Sequence, residues 1–145
     1  MTTPPDARAA EVTRLRLVIA RLYRQMAQAS GSQDLTFSQL SALARTEEHG
    51  PLRLGALAAR EAVAAPSMTR TLAALTRRGL VAKEPDPKDR RSHLVAVTPE
   101  GRALLATLRR ERSEMLAERI ARLTDEQRET LRSAVGVLEL LLDRR

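Results

Sequence analysis

Lys88, Asp89, Arg90 and Arg91 occupy four consecutive positions, and three of the four carry chemistry suited to an anion. A guanidinium offers a rigid fork of N–H donors and keeps its charge, so adjacent arginines suit phosphate oxygens or an electronegative minor groove. Pro85, Asp86 and Pro87, just upstream, are turn formers. Downstream, Leu94, Ala96 and Thr98 alternate with His93, Val95 and Val97, a β-branched run that suits a strand. Leu80-Val81-Ala82-Lys83 supplies a partner strand. The spacing predicts a hairpin whose connection, residues 84 to 92, holds Lys88, Arg90 and Arg91 at its tip. Asp89 would repel a phosphate, so it is expected to brace the tip by pairing with an arginine.

The element that precedes the hairpin gives the charged tip its meaning. From Leu54 to Gly79 the pattern is a short helix, a turn around Ala62-Val63-Ala64, and a second helix opening at Pro66, with Leu57, Val63, Met68 and Leu75 expected inside. This is helix-turn-helix spacing. Pro66, Ser67, Thr69 and Arg70 fall on the early, outward part of the second helix, where such helices meet base edges and phosphates. Arginine can pair with guanine through two hydrogen bonds, while hydroxyls mostly reach phosphates or waters. Arg77 and Arg78, near the C-terminal dipole, serve either the helix or a phosphate.

Apolar residues at Val12, Leu15, Ile19, Leu22 and Met26 form one helical stripe ahead of this unit, after a short Pro-containing tail. A helix from about Thr36 places Phe37, Leu40 and Leu43 inward and stops before Gly50-Pro51, and LRLGALAARE follows as a third helix. After the hairpin, Thr98-Pro99-Glu100 opens a long helix bearing Leu104, Leu105, Leu108, Met115, Leu116 and Ile120. At some 23 residues it spans about 35 Å. Thr124 with Gln127 makes a capping-box pattern for a last helix through Leu131, Val135, Leu138 and Leu142. These outer helices carry more apolar surface than a small three-helix unit can cover. Exposure costs about 25 cal/mol per Å², so the terminal helices of two chains are expected to pack into a homodimer.

Composition narrows the classes. The 145 residues carry a net charge of +7. Pro66 to Arg112 holds eleven Lys/Arg against five Asp/Glu, a net +6, which leaves +1 for the rest. Concentrated positive charge is an electrostatic footprint for nucleic acid. Tyr23 and Phe37 are the only aromatic residues, and single strands are commonly gripped by stacked rings, so double-stranded DNA is the expected partner. There is no cysteine, hence no disulfide, thiolate metal site or thiol sensor. His49 and His93 are isolated and cannot make a metal centre, and no cofactor is expected. Glu47-Glu48-His49 is the nearest approach to a catalytic cluster and reads better as a helix end, so no enzyme is expected. No apolar run reaches eighteen residues, and the N-terminal MTTPPDARAAEV lacks the apolar core of a signal peptide, so the expected location is the cytoplasm.

The helix-turn-helix followed by LVAKEPDPKDRRSHLVAVTPEG resembles the MarR family of winged helix-turn-helix regulators. Asp89, Arg91, Val95, Val97, Thr98 and Gly101 meet the family's wing pattern, and the resemblance runs from the first helix to the last. It implies a mainly α fold with a small β-hairpin wing: a winged-helix DNA-binding lobe over 32–98, and a helical dimerisation region formed by both termini, 8–30 and 99–145. It implies a homodimer that binds pseudo-palindromic duplex DNA, usually as a repressor released by a small ligand. Carried over by motif, recognition-helix contacts fall on Pro66, Ser67, Thr69 and Arg70, and the wing contact on Arg91 with Arg90 beside it. The resemblance also suggests a cleft for an aromatic effector lined by Tyr23, Met26, Phe37 and Leu40; these four serve equally well as plain core, which is the favoured reading. Three positions depart from the family. Ala62 stands where the turn often has glycine, Ala64-Ala65 replace a polar cap whose loss costs about 1 kcal/mol, and Thr71 replaces an aliphatic residue. The lack of cysteine excludes the family's thiol-based peroxide sensing. The competing expectation is a small-molecule or partner-sensing helical dimer with weak or nonspecific DNA binding.

Overall fold

Three threonines start three helices. The Thr36 hydroxyl accepts from the Gln39 amide at 3.2 Å while the Gln39 side chain accepts from the Thr36 amide at 3.1 Å, a reciprocal cap. Thr124 and Gln127 repeat the arrangement at 3.2 and 3.0 Å. Thr98 accepts from the Gly101 amide at 3.1 Å and donates to the Gly79 carbonyl at 2.6 Å, so one hydroxyl starts a helix and ties it to the chain before the hairpin.

The computed structural model describes residues 5–31 and 34–142. The elements in order are α1 (Pro5–Ala29), α2 (Phe37–His49), α3 (Leu54–Arg60), α4 (Ala65–Arg77), β1 (Val81–Asp86), β2 (Asp89–Val97), α5 (Pro99–Ala121) and α6 (Asp125–Glu139). The expected tail at 1–4, the lobe boundary at 32 and the chain end at 143–145 lie outside the described residues. No helix among them is long and apolar enough to cross a membrane.

The core sits between α2, α3, α4, the hairpin and the start of α5. Leu43, Leu57 and Leu75 are fully buried there, with Met68, Leu72, Val81, Val95, Val97 and Leu105 around them. Gly101 is needed because α5 starts against the chain entering β1: a Cβ would lie 2.3 Å from the Leu80 carbonyl oxygen. α1 packs along α5. α6 has no buried residue, and Val12, Val18, Ile19, Val135 and Leu138 stay exposed.

Several expectations are corrected. β1 runs on through Pro85 and Asp86, leaving only Pro87-Lys88 as the turn; an edge strand tolerates proline because no ladder donor is required there. Leu52 is not helical but forms a bridge to Val95, with bonds of 3.0 and 2.8 Å, giving the hairpin a short third partner. α4 opens at Ala65, one residue before Pro66. The last helix closes at Glu139, so Leu142 lies beyond it. Phe37 and Val63 are not inside: they are 67% and 40% exposed. Phe37 is the first residue of α2 and overshoots the core onto Tyr23, while Val63 follows a chain reversal that turns it outward. The long helix does span 23 residues, and Glu47-Glu48-His49 does end α2.

Candidate nucleic-acid interface

α4 presents its first turns to solvent because Met68, Leu72 and Leu75 hold the opposite side in the core. Pro66, Thr69 and Arg70 are exposed and Ser67 half-buried. Arg70 Nη2 reaches the Ser67 hydroxyl at 3.4 Å, and the Thr69 hydroxyl donates to the Ala65 carbonyl at 2.9 Å. No side chain caps this helix; Ala64 occupies the cap. Arg78 donates to the Asp34 carbonyl and is thereby committed to the lobe, whereas Arg77 makes no such bond among the described residues.

The wing tip differs in detail from the expected loop. The strands pair from Val81 with Val97 to Pro85 with His93, and then Asp86 pairs with Asp89. Arg90, Arg91 and Ser92 therefore have no opposite number and form a bulge. Bulges bend a strand and re-aim its side chains. Lys88 stands on the two-residue turn and the arginines on the bulge just behind it. Arg90 and Arg91 make no ion pair or side-chain hydrogen bond among the described residues.

Asp89 braces this bulge, though not by pairing with a wing arginine. Its carboxylate accepts from the Ser92 hydroxyl at 2.8 Å and the Arg91 amide at 3.1 Å, which holds its pKa below the ordinary carboxylate value. Among the described residues, the one guanidinium within ion-pair range of it is that of Arg53, at 3.9 Å. Arg53, the residue before α3, also grips the buried Asp86, with Nε at 2.8 Å and Nη2 at 2.5 Å. Asp86 accepts the Lys88 amide at 2.8 Å as well; that bond first and Arg53 second hold its carboxyl below the usual range. The same contact raises the Arg53 pKa. One guanidinium thus ties the base of the wing tip to the helix-turn-helix.

Sequence reasoning missed Arg53, which lies 33 residues from its partner. The usable signal was Asp86 and Asp89 three apart around a turn, two carboxylates in need of a cation. It also missed Lys83 and His93. Both lie on the hairpin face carrying Val95, and with Thr69 and Thr76 of α4 they line a groove of about 420 Å³ between helix and wing.

The candidate effector residues separate. Tyr23, Phe37 and Leu40 line a cleft of about 230 Å³ shared with Arg112, and Met26 does not line it. The rings of Tyr23 and Phe37 meet edge to face at 5.6 Å and 74°, and the Arg112 guanidinium stands 5.7 Å from the Tyr23 ring. With Phe37 exposed and Tyr23 only half-buried, the plain-core reading does not hold for these two rings. No group of histidine and acidic residues among the described residues could hold a metal ion.

The turn before α4 is strained. Ala62 has φ 53°, the one positive φ at a non-glycine residue among those described. That conformation costs an alanine about 1 kcal/mol. The Val63 amide donates to the Ala58 carbonyl at 3.0 Å and the Ala62 amide to the Ala59 carbonyl at 3.2 Å, the pattern that ends helices with a left-handed residue.

A MarR family model matches residues 35–93, from the start of α2 into the wing. An HTH-type transcriptional regulator of Mycobacterium tuberculosis is 44% identical over 138 residues, 95% of each chain. Among solved structures, a Pseudomonas aeruginosa protein superposes with a TM-score of 0.88 at 26% identity, over 98% of this chain and all of that one. A Staphylococcus aureus MepR variant bound to an oligodeoxyribonucleotide gives a TM-score of 0.71 at 19% identity, over 92% and 98% of the two chains, a likeness of fold.

Proposed function

The chain belongs to the MarR family of winged helix-turn-helix transcription regulators, and from that premise we propose that it is a homodimeric, sequence-specific repressor of duplex DNA. One observation carries the reading. Arg70 on the first turns of α4 and Arg90 and Arg91 on the bulged wing stand on the two elements that flank a single groove, and none of the three guanidinium groups is paired with a carboxylate among the described residues. Helix and wing can then engage adjacent grooves, with Pro66, Ser67, Thr69 and Arg70 toward the major groove, Arg91 in the minor groove, and Lys88 and Arg90 beside phosphates. The bonds of Asp89 to Arg91 and Ser92 keep the bulge in shape for that contact. The exposed apolar faces of α1 and α6 supply the dimer contact, which places two reading heads about 10 to 10.5 bp apart on a pseudo-palindromic operator. A small aromatic molecule in the cleft of Tyr23, Phe37, Leu40 and Arg112 is the releasing effector, and the site of action is the cytoplasm.

Selection of bound duplexes from random DNA identifies the operator, and an Arg91→Ala variant tests the wing. The expected result is an affinity loss of about tenfold and a salt slope shallower by about one. Unchanged affinity and slope would take the wing out of the mechanism. The uncapped α4 and the strained Ala62 favour a second reading, a sensing dimer whose head no longer reads sequence. That reading expects no selected operator and no shift with the protein's own upstream DNA at low ionic strength.

A further inference from the structure

We infer that Glu61 is a positioning residue for the reading helix, clamping the helix-turn-helix turn to α2 and so setting where the first turns of α4 stand. The inference rests on the DNA-binding reading above. Glu61 closes α3 and immediately precedes Ala62. Both of its carboxylate oxygens are used: Oε2 accepts from the Ser41 hydroxyl at 2.5 Å and Oε1 from Arg45 Nε at 3.2 Å. Ser41 and Arg45 lie one turn apart on α2, so the carboxylate sits in a two-pronged grip. The side chain is only 11% exposed, unlike a solvated surface pair of little consequence.

The turn needs such a grip. Ala62 holds a conformation that glycine would adopt freely, and Ala64 offers no oxygen to cap α4. The backbone bonds that shape the turn run back into α3 and do not reach α2. Among the described residues, no other side-chain hydrogen bond joins residues 61–65 to α2 or to the wing. Burial of Met68, Leu72 and Leu75 keeps α4 on the core, but apolar contact is non-directional. Charge-assisted bonds to a carboxylate are short and directional, and they fix both the height and the rotation of the turn. Pro66, Ser67, Thr69 and Arg70 follow within nine residues of Glu61, so an error at the turn is carried straight to them.

The test uses the full-length dimer with a duplex selected from random DNA by the wild-type protein, well below the unfolding midpoint of each variant. Glu61→Ala should weaken binding about tenfold, as when the competent population falls to about a tenth. The slope of log affinity against log salt should stay unchanged, because no phosphate contact is lost. Glu61→Gln, which still accepts from Ser41, should recover part of the loss. Adding Ala62→Gly to Glu61→Ala should recover most of it, since a relaxed turn no longer needs holding. In the free protein, Glu61→Ala should speed hydrogen exchange at the amides of Val63, Ser67 and Met68, and Ala62→Gly should slow it again. If Glu61→Ala does not fold, Arg45→Met removes one prong and should show a smaller loss with the same slope and rescue. Wild-type affinity in the Glu61→Ala or Arg45→Met single variant, a shallower slope, or no rescue by Ala62→Gly overturns the inference. A wild-type protein that selects no duplex overturns the DNA reading instead, and the exchange rates alone then decide the role of Glu61.

Discussion

The lobe from α2 to β2 and the helices at the two ends of the chain treat apolar side chains in opposite ways. In the lobe, Leu43, Leu57 and Leu75 disappear from solvent among neighbours drawn from α2, α3, α4, both hairpin strands and α5. In α6, built with an equally regular apolar stripe, no residue is buried, and in α1 Val12, Val18 and Ile19 are at least half exposed. Both regions have sound helix signals; α6 has the full reciprocal cap at Thr124. Helix formation and helix burial are therefore separate questions. Caps and periodicity answer the first, and only a partner surface answers the second. The lobe contains its partner surfaces, whereas the apolar faces of α1 and α6 stay exposed among the described residues.

The sharpest way to break that contrast is to charge the exposed stripe. In the proposed dimer, Leu131→Glu with Leu138→Glu should weaken self-association by about a hundredfold or more, since buried interface anchors are each worth about 2 kcal/mol. Sedimentation equilibrium reads the change. Operator binding should fall with it, while hydrogen exchange in the lobe core stays slow, because neither residue touches that core. Retained dimers would place the association surface elsewhere, and a molten lobe would show that the two regions are not independent.

The complementary break lies inside the lobe. Gly101→Ala puts a methyl 2.3 Å from the Leu80 carbonyl oxygen and 2.8 Å from Val97 Cγ1, and backbone cannot step aside as a flexible side chain could. A loss of about 1–3 kcal/mol in urea unfolding is expected, the range for overpacking a filled site. The same change at Gly136, where an added Cβ meets nothing within 4 Å, should cost no stability. Equal effects at the two glycines would contradict the packing contrast between lobe and terminal helix.

What the sequence could express follows the range of the interaction. Helix starts at Thr36, Thr98 and Thr124 were legible because a cap and its partner lie three residues apart. The wing was legible as an arginine-bearing hairpin from its strand alternation, but its length was not. Pro85-Asp86-Pro87 reads as a turn, yet the ladder absorbs Pro85 and Asp86, and the slack reappears as the bulge at Arg90 and Arg91. Leu52 could not be separated from a helix by periodicity, since its strand role exists only through Val95, 43 positions on. Phe37 fits an inward stripe with Leu40 and Leu43, but at the first position of a helix that stripe has already left the core. Of the candidate site, the recognition-helix face and wing tip were readable as local clusters. Arg53 and Glu61, which act through partners 33 and 20 residues away, were not.

Arg53 yields the finest comparison, between the two carboxylates it faces. Both Asp86 and Asp89 titrate below the ordinary value in the folded chain, so the unfolded state takes up protons first as pH falls. Their contribution to stability is therefore complete above the unfolded pKa of about 3.9 and is lost as pH falls through the lower folded values. Between pH 5 and 8 the wing should be insensitive to pH on their account. The two differ in cause. For Asp86, Arg53 contributes through both a hydrogen bond and its charge, second only to the Lys88 amide; for Asp89, the Ser92 hydroxyl and Arg91 amide come first and Arg53 adds only a distant charge. Arg53→Gln should accordingly raise the Asp86 titration midpoint clearly and move Asp89 little, as followed by carboxyl carbon shifts in NMR. The raised midpoint should remain below the unfolded value, because the Lys88 amide still donates to Asp86 at 2.8 Å in the parent geometry. Equal movement of the two midpoints would mean that Arg53 acts on the wing tip as a diffuse charge. A shift confined to Asp86 would identify it as a directional tie between the helix-turn-helix and the wing.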